Sequence, residues 1–144
     1  MAHGLDIRFH RKMRELTFQK QTKLRENGHI GNCMMTCYAN YLGLDVQECP
    51  QIEELFSSNE PKGFWASVVK LWWEEQGYDF HFSSSEEEVL KEVGDDYYFV
   101  GGETPRSSEN KHLVIYRKGK MVFDPHPDGG GITKVTVLHY VKKR

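Results

Sequence analysis

Two short apolar runs, His112-Leu113-Val114-Ile115-Tyr116 and Lys120-Met121-Val122-Phe123-Asp124, flank the tripeptide Arg117-Lys118-Gly119. Runs that alternate and are joined so closely have one compact solution, an antiparallel hairpin. A three-residue loop with glycine last is commonly a type I turn followed by a bulge. That register pairs Tyr116 with Lys120 and, counting back, His112 with Asp124, their Cα atoms about 4.5–5.5 Å apart. Imidazole and carboxylate then share one face, while Leu113, Ile115, Met121 and Phe123 form an apolar layer on the other. A two-residue turn at Lys118-Gly119 would instead send His112 and Asp124 to opposite faces. The His–Asp contact is therefore a specific expectation of register, although such a pair by itself reads equally as a satisfied polar contact.

The second constraint is upstream, at Gly31-Asn32-Cys33. Asparagine is a favoured N-cap and Gly43 a natural stop, so a helix is expected over Cys33 to Leu42. Met34, Cys37, Tyr38 and Tyr41 recur at helical spacing and mark its core side. A thiol in the first turn sits at the positive end of the helix dipole among unpaired amides. Both effects favour the thiolate, and the same amides can hold an oxyanion. Cys37 lies a turn further in on the apolar side, and Cys49 precedes Pro50. Any one cysteine is also readable as a small buried hydrophobe. An N-capped cysteine joined to a His–Asp pair supplies nucleophile, base and orienter.

The other elements follow from pattern. A short helix is expected from Pro50 to Phe56, and a longer one from Phe64 to Gln76 with the stripe Trp65, Val68, Val69, Trp72 and Trp73. Tyr78 to Phe82 reads as a strand. Ser85 and Glu88 resemble a capping box opening a helix to Val93, with Glu86-Glu87-Glu88 at its positive end. Tyr97 to Val100 reads as a strand and Gly101 to Asn110 as a surface loop. The alternative makes that loop a rim of the cleft, with Arg106, Ser107 and Ser108 available to substrate. Ile132 to Tyr140 reads as the last strand. Helices first and antiparallel strands after imply an α+β fold.

At 144 residues the chain suits one domain, 1–144, in which residues 1–20 read as a polar arm. Three cysteines make no disulfide framework, which points to a reducing, cytoplasmic setting. No apolar run is long enough for a membrane span, and no secretory signal is recognisable. A net charge of −2 gives no field for nucleic acid; the basic residues near the N-terminus and Lys142-Lys143-Arg144 read as solvated ends.

A cysteine opening a helix, a histidine beginning a strand and an Asp-Pro closing the next together resemble the papain-like cysteine peptidase superfamily. The similarity is closest to the bacteriocin-leader-processing type and its small relatives in phages and bacteria. The segments that carry it are Gly31-Asn32-Cys33 through Leu42-Gly43-Leu44, and His112 to Tyr116 running on to Phe123-Asp124-Pro125. The resemblance implies a nucleophile helix packed on a small antiparallel sheet, with Cys33 as nucleophile, His112 as base and Asp124 as orienting acid. It also implies an upstream glutamine whose amide completes the oxyanion hole. Gln21 is the candidate, with Gln19 second. Gln21 lies further upstream than the family pattern has it, and a loop at Glu26-Asn27-Gly28-His29 would absorb the excess.

The implied activity is hydrolysis of an amide, isopeptide or related acyl bond in a protein or peptide, without cofactor or metal. Acyl transfer by the same triad and a non-catalytic binding module on the same scaffold are the alternatives. A metal-dependent hydrolase is a third. Asp124-Pro125-His126-Pro127-Asp128 offers that third reading two ligands but no clear second pair. The glycines 129–131 that follow read as a mobile rim of the cleft.

Overall fold

The computed structural model describes Gln19, Lys20, Thr22 and residues 32–55 and 64–144. Helix α1 is Cys33–Leu42, and it stops where glycine makes a left-handed turn cheap. Gly43 N–H donates to Asn40 O and Leu44 N–H to Ala39 O, the two bonds of a Schellman stop. The other end departs from expectation. Asn32 makes no side-chain cap; its Nδ2 donates instead to Thr22 Oγ1 and Gln51 Oε1. The Met35 N–H is satisfied from outside the helix, by the buried carboxylate of Glu53 at 2.8 Å.

Glu53 belongs to the second of two 3₁₀ turns, Val46–Glu48 and Ile52–Leu55, which replace the short helix expected from Pro50. Helix α2 is Phe64–Glu75 and buries Val69, Trp72 and Trp73. Strand β1, Tyr78–Ser83, follows directly. Helix α3, Glu86–Val93, opens on Ser85, whose Oγ accepts the Glu88 N–H at 3.3 Å.

Strands β2 (Tyr98–Thr104), β3 (Ser107–Arg117), β4 (Lys120–Phe123) and β5 (Lys134–Lys143) complete one antiparallel sheet in the order β1-β5-β2-β3-β4. Helices α1 and α2 cover one face, packing Tyr38, Tyr41 and Trp73 against Phe80, Phe99, Leu113, Ile115 and Phe123. Helix α3 covers the other with Val89 and Val93 on Tyr98, Val100, Val114 and Leu138. The fold is α+β, with the sheet as the middle layer.

Two expectations are corrected. The loop expected over 101–110 is a hairpin, with β2 running on through Gly101 and Gly102. The glycines serve strand packing there. A Cβ on Gly102 would stand 1.9 Å from Lys134 O, and one on Gly101 2.6 Å from Val137 Cγ1.

The β3–β4 register also differs. Lys118 (φ 53) and Gly119 (φ 80) form a two-residue turn, so Arg117 pairs with Lys120 and Tyr116 with Met121. Left alone, this phase would separate His112 from Asp124. An irregularity between Ile115 and Tyr116 shifts it, and Ile115 pairs with Phe123. Counted onward, Asp124 falls opposite Val114, diagonal to His112 rather than facing it. Met121 consequently leaves the apolar layer and is 40% exposed, while Ile115 and Phe123 stay buried.

Candidate active site

The site assembles where the start of α1 meets the β3–β4 hairpin. His112 lies on β3 and Asp124 just past β4, and both are buried. His112 Nε2 and Asp124 Oδ1 are 2.6 Å apart. The carboxylate has two further donors: His126 N–H reaches Oδ1 at 2.9 Å, and Gly131 N–H reaches Oδ2 at 2.8 Å. Burial alone would raise the pKa of Asp124. The hydrogen bonds from His112, His126 and Gly131 outweigh it and hold the carboxyl at about 2. Burial would likewise lower the pKa of His112, but hydrogen bonds and charge from Asp124 and Cys33 raise it to about 9.

With Nε2 engaged by Asp124, Nδ1 is the nitrogen His112 has left for Cys33. Cys33 is half-buried in the first turn of α1. The structure thus brings Cys33, His112 and Asp124 together, by a register other than the expected one.

Gln21 lies outside the described residues. The residues on either side of it touch the site: Lys20 Nζ donates to Asp124 O at 2.9 Å, and Thr22 Oγ1 accepts from Asn32, the residue before Cys33. The second candidate, Gln19, is committed elsewhere. Its Nε2 donates to Leu44 O and its Oε1 accepts from Val46 N–H, at the end of α1 opposite Cys33. Cys37 is fully buried with its Sγ on Leu113 O, and burial pushes its pKa well up. Cys49 is buried on Asp45 O. Both pack as small apolar residues.

Three contributors were missed in the sequence. Glu53 has no local signature, because the amide it caps is far away in the chain. His126 and Gly131 lie in the segment read as a metal loop and a mobile rim. Gly131 is instead buried, with φ 73, and ties back to Asp124. His126 Nδ1 accepts the Asp128 N–H at 3.0 Å. Among the described residues no three His, Cys, Asp or Glu stand together as a metal-binding group, and no helix is long and apolar enough to cross a membrane.

Comparison with family models, curated proteins and solved structures gives no match for this chain. The arrangement sets a thiol at a helix start, an imidazole beside it and a buried carboxylate on the imidazole's far nitrogen, three of the groups that acyl chemistry uses.

Proposed function

We propose that the protein is a papain-like cysteine hydrolase, with Cys33 as nucleophile, His112 as base and acid, and Asp124 as the group that orients His112. A peptide or isopeptide bond is the first expected target. The observation that carries this reading is the 2.6 Å His112–Asp124 bond made through Nε2, which leaves Nδ1 for Cys33. His112 takes the Cys33 proton, and the thiolate attacks the acyl carbon. The oxyanion is held by the Cys33 N–H, an amide with no partner inside the helix, and by the Gln21 side chain. His112 then protonates the leaving group, and water releases the acyl group. The free thiols of Cys33, Cys37 and Cys49 fit a reducing cytoplasm.

The test is alkylation by iodoacetamide across pH, resolved by peptide mass spectrometry. Cys33 should react at least about tenfold faster than Cys37 or Cys49 at pH 7, and His112→Ala should slow it by about 10²-fold. Slow, equal labelling of all three thiols, or indifference to His112→Ala, would leave only the binding module standing.

A further inference from the structure

Two cations, Lys20 and Arg106, gather at the loop that follows β4. Lys20 Nζ sits on Asp124 O at 2.9 Å and His126 O at 3.4 Å, with the Phe123 ring 5.3 Å away. Arg106, exposed in the β2–β3 turn, lies against the glycine turn: a Cβ on Gly130 would be 3.5 Å from its guanidinium nitrogen. Neither cation forms an ion pair among the described residues. Asp124 is already engaged by His112 and two backbone amides. The remaining acid of the loop, Asp128, is 68% exposed and 3.7 Å from His126 Nδ1.

His126 connects this charge to the site. Its ring centre is 6.1 Å from that of His112. Because Nδ1 accepts the Asp128 N–H, the neutral ring carries its proton on Nε2 and can donate it. Burial and the Arg106 charge both lower the pKa of His126, which keeps it in that neutral form. A guanidinium, an ammonium and a neutral imidazole N–H are donors suited to a carboxylate.

We infer that Arg106, Lys20 and His126 form a carboxylate-binding subsite beside His112, so that the preferred substrate carries a carboxylate close to the acyl carbon attacked. The inference rests on the hydrolase reading above. The 6.1 Å between the two histidine rings is about one to two residues of extended chain. The carboxylate therefore belongs to a residue adjacent to the scissile bond, or to a chain end there.

Three chloroacetyl probes test this. In each, Cys33 Sγ attacks the methylene carbon, chloride leaves and a thioether forms. Chloroacetylaspartate amide carries a side-chain carboxylate, chloroacetylglycine a terminal one, and chloroacetylglycine amide none. At least one acidic probe should label Cys33 about fivefold faster than the neutral probe, as expected for one charge a few ångströms away in a partly wet site. The faster of the two names the source of the carboxylate. Arg106→Gln should bring the ratio of acidic to neutral rates down toward one, and Arg106→Lys should retain most of it. Lys118→Gln removes an equal charge at the far turn of the β3–β4 hairpin and should leave the ratio alone.

Equal rates in the unaltered protein, a ratio untouched by Arg106→Gln, or an equal fall in Lys118→Gln would each overturn the subsite. With Cys33 still fast toward iodoacetamide and dependent on His112, those results leave the hydrolase reading intact. A sluggish Cys33 removes both.

Discussion

Asp124 accepts three hydrogen bonds on two oxygens, which makes it the most constrained group of the site. Asparagine in its place offers one oxygen and one NH₂, so at least one of the three donors would face another donor. Asp124→Asn should therefore cost about 1–3 kcal/mol in stability as well as slow Cys33 alkylation. The loss of rate should be smaller than for His112→Ala, since Asp124 acts only through the imidazole. Urea denaturation and alkylation on one preparation measure the two effects. A variant that keeps full stability would mean that Gly131 and His126 do not depend on the carboxylate.

At the scale of elements, β2 depends on close backbone approach at Gly102. Its missing Cβ would overlap a backbone carbonyl, which cannot rotate away, whereas the Cβ of Gly101 would meet the tip of Val137. Gly102→Ala should destabilise by about 2–3 kcal/mol, and by more than Gly101→Ala, in urea denaturation. The reverse order would place the tight approach elsewhere.

The same two glycines show what the sequence hid. Gly-Gly after a strand reads as a loop, and only the neighbouring β5 reveals that it is a strand needing room. The hairpin was legible in a subtler way. Its two strands and the His112–Asp124 contact could be read, but the start of β3 and the turn could not. Glycine last in Arg117-Lys118-Gly119 argued for a three-residue loop, whereas the two-residue turn sets Lys118 at an unfavourable positive φ. The twist match of a two-residue turn prevails, and the shift at Ile115/Tyr116 restores the phase. Although Asn32 does not make the cap expected of it, the bounds of helix α1 were legible from Gly43 and the spacing. Its cap by Glu53 was not, being a tertiary contact with no local pattern.

At the scale of the whole molecule, His139, Asp124 and His112 are described residues whose large shifts bear on stability below about pH 9. His139 is buried among Tyr38, Phe80 and Phe99, with Nε2 on Tyr38 Oη at 2.9 Å and Nδ1 without a hydrogen-bond partner among the described residues. Burial lowers its pKa to about 3 from an ordinary 6.5. Between those values the unfolded chain binds a proton that the fold refuses, so stability falls as pH drops from 6.5 toward 3. Asp124, lowered from 3.8 to about 2, extends that loss at still lower pH. His112 acts in the opposite sense. Raised to about 9, it contributes fully below pH 6.5 and loses its contribution as pH rises through 9.

Stability should accordingly peak near pH 6.5, with each limb amounting to a few kcal/mol, on the order of 1–4. Tyr38→Phe combined with His139→Leu removes the buried imidazole and its partner together, and should flatten the curve between pH 6.5 and 4. Thermal melts across pH decide the point. An unchanged acid slope would mean that another buried group takes up the protons.

The short N-terminal stretch around Lys20 has a mechanical meaning. Gln19 fastens to the C-terminal end of α1, Lys20 to the chain just past β4, and Thr22 to the residue before Cys33. Helix and hairpin are remote in sequence and carry different members of the proposed triad, and this stretch stitches them together at three points. Pulling or cutting the chain there would loosen the distance between thiol and imidazole while leaving the sheet's own ladder whole. On the proposed reading, the molecule would then stay folded while the Cys33 thiol lost the imidazole beside it.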